Sequence, residues 1–287
     1  MLYYPPGLRM RQSHVTQSDI VVGLRRLGLE QGAVVEVHSS LSALGRVEGG
    51  ADAVIDALQE VVGAVGTLVM SAYAVSPPVP LTDEDRNLGI TWKVRWLPGD
   101  TAERTGIGVV ADAFRQRPDV VCGTTRFCTC AWGRDAGQHC EGYRNLLDVD
   151  GWCLLMGVGI DRCSSMHQAE DVPLPAQVGS YFEVPPQVQQ AYDPQLWSIG
   201  YGGTPDDAWQ KVYAEADRLG MIRHGQIGKA MCHLFKANSV VSIYRAWRQT
   251  DPFGLYGVPQ DVPQSGDLDT PVNTIDFSQK RGLLDEY

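Results

Sequence analysis

The sequence predicts an α/β fold, and three features carry that prediction. An apolar run, Ala33-Val-Val-Glu-Val-His38, is followed by a helical stretch from Ala51 to Val62 and then by a second apolar run, Thr67 to Tyr73. A strand, helix and strand in this order are joined in parallel by a crossover within one sheet. A third apolar run, Trp152 to Gly157, ends in the loop Gly157-Val-Gly159 and passes at once into polar residues. With 287 residues, 44% hydrophobic and 20% charged, the chain can bury one large α/β core or two small ones.

Residues 1–12 read as a loose tail containing Pro5, Pro6 and Gly7, and residues 13–255 as a single folded domain. Thr16 followed by Asp19 is a helix start, and Ile20, Leu24 and Leu27 fall on one face before Gly28 breaks the helix. The first strand ends in Ser39-Ser40-Leu41 and a loop through Gly45, Gly49 and Gly50. The second helix turns Val54, Leu58 and Val61 inward, and Gly63-Ala-Val-Gly66 turns the chain into the second strand. Ser76 to Thr101, with four prolines, reads as a long loop, and loops of that length are often functional.

Thr105-Gly-Ile-Gly108 is expected to open a helix to about Gln116, and Arg126 to Trp132 to form a strand. Cys163 to Asp171 reads as helical, and residues 181–201 as weakly strand-like. Pro205 opens a helix to Leu219, and Gly225 to Phe235 and Val240 to Arg248 read as helical or mixed. Residues 256–287, rich in Pro, Gly and Asp, read as an irregular surface extension.

Charge narrows the function. Twenty-four basic against 34 acidic residues leave −10. Nucleic-acid binding needs clustered Lys and Arg, so that class is disfavoured, whereas a cationic ligand is favoured. An acidic surface also keeps a protein soluble without any such role. The longest mostly apolar stretch, Val61 to Val75, is short of a membrane span and is interrupted by Gly63 and Gly66. The N-terminus has no charged-then-apolar leader, so the expected location is the cytoplasm. The 7 cysteines have no repeated spacing, and no CxxC pairs or HExxH motif call for a metal; free thiols are the expectation.

Chemistry concentrates in Gly157-Val-Gly-Ile-Asp-Arg-Cys-Ser-Ser-Met-His167-Gln-Ala-Glu170. Ligands of α/β sheets bind beyond the carboxyl ends of strands, where this segment begins. His167 and Glu170 are three apart and share a face if helical, and a carboxylate beside an imidazole can fix its tautomer for proton transfer. A lone His at a helix start is otherwise structural. The second feature is His38-Ser39-Ser40-Leu41, whose amides and hydroxyls could bind carbonyls or phosphates, or serve only as a helix cap and turn. Thr105-Gly106 could hold an anion at a helix start, a weak signal by itself.

Together these segments resemble the aminoglycoside 3-N-acetyltransferases. The matching pieces are Val37-His-Ser-Ser-Leu-Ser-Ala-Leu-Gly45, Glu48-Gly-Gly50, Gly66-Thr-Leu-Val-Met70, Gly106 to Arg115, Leu154-Leu-Met-Gly-Val-Gly-Ile-Asp161, Met166-His-Gln-Ala-Glu170 and Gly225-Gln-Ile-Gly-Lys-Ala230. The resemblance spans roughly residues 16 to 253 and lies in the order of the pieces more than in any one. It implies a three-layer α/β/α domain around a mostly parallel or mixed sheet, distinct from the common GNAT superfold. It implies acetyl transfer from acetyl-CoA, without a metal, to the 3-amino group of a 2-deoxystreptamine aminoglycoside. His167 becomes the general base, and Glu170 its support or a substrate-ammonium ligand. The resemblance also implies that His38, Ser39, Ser40, Leu41 and Ser71 line the acetyl-CoA channel, with Thr105 and Gly106 near its phosphates. A homodimer is left open.

Departures cluster on the acceptor side. The family's Arg-Ser-x-His-Pro-x-x-Ser stretch is replaced by Val121 to Gly133, with Thr124 for His and Cys128 for Ser. Gly200-Tyr-Gly202 stands where the family carries an acidic residue, with Asp206 or Asp207 as substitutes. The alternatives are a homologue that acetylates another amine in biosynthesis, or a non-catalytic aminoglycoside- or CoA-binding protein. A cysteine-dependent acyl enzyme through Cys128 lacks any nearby group that lowers its pKa. A nucleotide-dependent transferase lacks the Walker-type run.

Overall fold

A computed structural model describes residues 14–201 and 206–259. The expected tail, the 260–287 part of the extension, Gly202 and Pro205 lie outside the described residues. Helix α1 (Gln17–Leu27) opens on a capping box: the Thr16 hydroxyl accepts from the Asp19 amide while the Asp19 carboxylate accepts from the Thr16 amide. It stops at Gly28, whose φ of 96° is a left-handed conformation that glycine adopts without a Cβ penalty.

Next come β1 (Val34–Ser39), α2 (Gly50–Val62), β2 (Thr67–Ser71), α3 (Asp83–Asn87), β3 (Ile90–Arg95), α4 (Val109–Arg115), β4 (Val121–Cys122), β5 (Thr129–Gly133), α5 (Arg144–Asp148) and β6 (Trp152–Met156). A 3-10 helix, Ser164–Ala169, follows β6 after a shorter one at Ile160–Arg162. The chain continues through α6 (Ala176–Gly179), α7 (Pro186–Ala191), β7 (Trp197–Tyr201), α8 (Asp206–Arg218), β8 (Arg223–Ile227), β9 (Ala230–Lys236), α9 (Ala237–Thr250) and α10 (Pro252–Tyr256).

The main sheet has seven strands in the order β4-β5-β2-β1-β6-β9-β8. At its centre β1 runs parallel to both β2 and β6, and the remaining pairings are antiparallel. The predicted strand–helix–strand crossover is therefore present, within a mixed sheet. Alternation along the central strands makes the two faces. Val35, Val37, Leu154 and Met156 pack with Leu24 of α1, Leu58 of α2 and Phe114 of α4. Cys153 and Leu155 face the other way and pack with Leu146 of α5, Trp209 of α8 and Val240 of α9. Two apolar layers on one sheet give the three-layer α/β/α architecture that was expected. No helix among the described residues is long and apolar enough to cross a membrane.

Several local expectations are corrected. Ser76 to Thr101 is not a bare loop: a Thr82–Asp85 capping box starts α3, and β3 pairs antiparallel with β7 in a separate two-stranded ribbon. Within residues 181–201 only Trp197–Tyr201 is strand, and Pro186 sits in the first turn of α7. Gly225 to Phe235 is the β8–β9 hairpin, not helix. Its signal was a period of two: Ala230, Cys232 and Leu234 are buried, while Met231 is exposed and His233 half-buried. The strand expected from Arg126 begins only at Thr129, and the helix expected from Cys163 is a 3-10 helix. Free thiols also fail as a general expectation, because Cys122 and Cys130 are opposite each other across β4 and β5 and form a disulfide. Cys128, Cys140, Cys153, Cys163 and Cys232 are free and buried.

Candidate active site

β1 and β6 are adjacent and parallel, so their carboxyl ends and the loops beyond them lie together. The β6 loop delivers the 3-10 helix, and the β1 end delivers His38, Ser39, Ser40 and Leu41. In the 3-10 helix His167 Nδ1 lies 2.8 Å from Glu170 Oε2. The His167 side chain is 54% exposed, so the ring is open to a second reactant. A carboxylate on Nδ1 stabilises the tautomer with hydrogen there and leaves the Nε2 lone pair facing outward. Trp209 of α8 holds the ring from the side in an edge contact, with centroids 4.8 Å apart and planes at 74°.

A second imidazole lies at the end of β1. His38 Nε2 is 2.5 Å from Glu36 Oε1, and Glu36 is completely buried. The same Glu36 oxygen accepts from the Ser165 amide at 3.0 Å, and the Ser164 amide lies 3.3 Å from His38 Nε2. The β1 end is thus tied directly to the start of the helix that carries His167. Ser71 also joins this network: its hydroxyl is 2.8 Å from Tyr143 Oη and 3.2 Å from Ser164 Oγ. Burial pushes the Tyr143 hydroxyl well above the usual phenol range, and the charge of Glu36 adds to the rise. Tyr143 is therefore a neutral member of the network.

The other predicted cofactor residues divide. The Ser40 amide donates to the Met156 carbonyl at 3.0 Å, and its hydroxyl is 3.1 Å from Ser42 Oγ. Ser39, Ser40 and Leu41 are half-buried at and beyond the carboxyl end of β1, where α/β sheets form their ligand cleft. Thr105 and Gly106 do not fit the anion site expected of them. α4 begins only at Val109, and Thr105 is buried with its amide and hydroxyl both donating to Asp112 Oδ1, at 3.1 and 2.7 Å. The Gly106 amide donates to the Val75 carbonyl. No donor of the pair remains for a phosphate, and the Asp112 carboxylate beside them repels one.

On the expected acceptor side, Thr124 is exposed and donates its amide to Glu141 Oε1 at 2.9 Å. The Cys128 thiol is buried and points at the Ala72 carbonyl, and burial pushes its pKa up. A thiol nucleophile needs the opposite shift, so the Cys128 acyl-enzyme reading loses its chemical basis. Gly200 is in β7 opposite Trp92 of β3, so it contributes ribbon backbone rather than an acid. The sequence reading missed Glu36, Tyr143 and Trp209. A glutamate inside an otherwise apolar strand run was the visible signal for the first, and an aromatic on the apolar face of α8 for the last.

The sequence profile of the aminoglycoside 3-N-acetyltransferase family matches residues 37–249. An aminoglycoside N(3)-acetyltransferase III of Serratia marcescens is 29% identical over 257 residues, covering 79% of this chain and 94% of the relative. The crystal structure of the apoenzyme of aminoglycoside acetyltransferase AAC(3)-IVa superposes with a TM-score of 0.64 at 21% identity, over 90% of this chain and 96% of the other. The binary structure of AAC-IIIb with CoASH gives 0.61 at 22% identity, over 87% and 100%. At those identities the two structures speak to the fold, while the profile covers most of the sequence: the chain belongs to the aminoglycoside 3-N-acetyltransferase family.

Proposed function

We propose that the protein transfers the acetyl group of acetyl-CoA to the 3-amino group of a 2-deoxystreptamine aminoglycoside in one direct step, with His167 as general base. The observation that carries this reading is the His167–Glu170 pair, exposed at the carboxyl end of the central parallel strands. An ammonium cannot attack a thioester. Nε2 of His167 takes a proton from the amine as its nitrogen bonds to the acetyl carbon, and the carbon–sulfur bond then breaks. No covalent enzyme intermediate is needed. The half-buried Ser39–Leu41 turn takes the pantetheine arm.

Support comes from the family profile and from the relative bound to CoASH. The acidic balance of −10 favours a polycationic acceptor. Incubation with acetyl-CoA and an aminoglycoside panel, followed by CoA thiol release and product mass spectrometry, tests the reading. His167→Ala is expected to lower the rate by about two to four orders of magnitude with CoA binding retained. An unchanged rate removes His167 from the mechanism.

A second reading, favoured by Thr124 and Cys128 where the family has His and Ser, keeps the chemistry and changes the acceptor to another amine. The same assay over a wider amine panel separates the two by which substrate gains the acetyl mass.

A further inference from the structure

His38 was expected only to line the cofactor channel, yet it has its own buried carboxylate. Residues 36 and 38 project from one face of β1 because strand side chains alternate. Glu36 lies wholly in the interior, and its Oε2 is buried with no partner among the described residues. The groups facing it are Cys153 of β6, Cys163 and Ser165 after β6, and Tyr143 before α5. Burial pushes the Cys153 thiol and the Tyr143 phenol well up, with the charge of Glu36 adding to each, so both stay neutral. Among the described residues facing Glu36, His38 is the one basic side chain in hydrogen-bond reach of the carboxylate.

Nε2 is the engaged nitrogen: Glu36 Oε1 lies 2.5 Å from it, and the Ser164 amide donates toward it at 3.3 Å. Nδ1 has no partner among the described residues, and the side chain is 10% exposed, so Nδ1 is the nitrogen left for the cleft. Ser164, whose amide reaches His38, and His167 are three apart on one 3-10 helix, where positions i and i+3 eclipse about 6 Å apart. His38, next to Ser39–Leu41, is therefore joined through Ser164 to the 3-10 turn that ends at His167.

The geometry points to His38 as a second catalytic residue: the acid that gives a proton from Nδ1 to the sulfur leaving the thioester, with Glu36 as its positioning residue. This rests on the acetyl transfer proposed above. The amine nitrogen bonds to the acetyl carbon and loses a proton to His167. The carbon–sulfur bond breaks with its electron pair on sulfur, and His38 supplies the proton that makes the free CoA thiol. His167 ends with one proton more and His38 with one fewer, and exchange with water resets both.

The test varies the leaving group. In His38→Gln the side-chain amide can still donate to Glu36, but no proton carrier faces the cleft. With acetyl-CoA its kcat is expected to fall by about two orders of magnitude while KM for the amine stays within about threefold. With the acetyl thioester of 5-thio-2-nitrobenzoate, whose thiolate departs without a proton, the variant should match the wild type. His167→Ala should lose activity with both donors. Glu36→Gln should show a smaller loss with the same donor dependence, and it carries the test should His38→Gln not fold. A His38→Gln kcat within twofold of wild type with acetyl-CoA, or an equal loss with both donors, overturns the assignment. A wild type that acetylates no amine overturns the acetyl-transfer reading and this step with it.

Discussion

Glu170 approaches His167 Nδ1 with one oxygen, at 2.8 Å, while its other oxygen is buried with no partner among the described residues. All the hydrogen bonding of this carboxylate that the structure contains is thus directed at the imidazole. In the proposed transfer it holds the tautomer and orientation that expose Nε2, and stabilises the imidazolium formed when the amine loses its proton. Glu170→Gln keeps the shape but can present either an oxygen or an NH2 to Nδ1. The kcat for CoA thiol release is expected to fall about 10²- to 10⁴-fold, with KM nearly unchanged and the melting temperature within a few degrees. A loss of less than about twofold would show that Glu170 binds substrate or nothing.

Trp209 positions the same ring from α8, and it also fills the core, being 3% exposed. Its Nε1 is buried without a partner among the described residues, so a smaller aromatic relieves an unsatisfied donor. Trp209→Phe is therefore expected to leave stability close to wild type. Loosening an edge contact worth about 0.5–1.5 kcal/mol should cost roughly twofold to tenfold in kcat. Trp209→Ala should cost about 3–5 kcal/mol by denaturant melting, as a large cavity does. The Phe variant separates positioning from packing, because its fold is intact.

How far the site could be read from sequence differs between its parts. His167 and Glu170 are three apart, and local spacing alone puts them on one face whether the turn is α or 3-10. The β1–α2–β2 unit was equally local. Glu36 with Ser165, or His167 with Trp209, join residues brought together only by strand order and helix docking, so no short window contains either pair. The β8–β9 hairpin was misread because Gly225 to Phe235 has both a helical and an alternating reading, and pairing with β6 decides it. Thr105-Gly106 looked like an anion site because the sequence hides Asp112, seven residues on, which uses their neighbourhood instead.

Thr105→Val removes the hydroxyl that donates to Asp112 Oδ1 at 2.7 Å, leaving the Thr105 amide and Arg115 Nε on the same oxygen. Loss of a buried hydrogen bond to a charged group is expected to cost about 1.5–3 kcal/mol of stability. Calorimetric CoA affinity should change by less than about twofold. A tenfold weakening without a matching stability loss would return Thr105 to the cofactor site.

Cys128→Ser offers a check on the direct-transfer step. The thiol is buried against the Ala72 carbonyl with its pKa raised chiefly by burial. Serine is a far poorer nucleophile at this position and has no base beside it. If transfer is direct, kcat should stay within about threefold of wild type, and mass spectrometry of enzyme mixed with acetyl-CoA alone should show no acetylated protein. An adduct of one acetyl group, lost in Cys128→Ser, would reinstate the thiol route.

Away from the site, Asp85 and Lys93 lock the ribbon, and their pH response has a definite sign. Lys93 Nζ lies 2.5 Å from Asp85 Oδ2, the Thr82 amide donates to the same oxygen at 2.7 Å, and the Tyr192 hydroxyl donates to Oδ1. Burial works to raise the Asp85 pKa, but the hydrogen bonds from Lys93, Tyr192 and Thr82 outweigh it and hold the carboxyl well below the usual range. The hydrogen bond to Asp85 raises Lys93. A depressed carboxylate contributes stability that is complete above its unfolded pKa, about 3.9, and is lost as pH falls through the folded value. A raised ammonium contributes below about 10.4 and loses its contribution as pH rises through the folded value. Lys93→Met leaves a buried carboxylate unpaired and should cost about 3–5 kcal/mol at pH 7. In the variant the unpaired, buried Asp85 carboxyl is raised by burial, and protonation relieves it, so the melting-temperature gap to wild type should be widest at alkaline pH and narrow steadily as pH falls toward about 4. A gap that stays constant from about pH 8 to about pH 4 would mean that Asp85 is not the charge left unpaired.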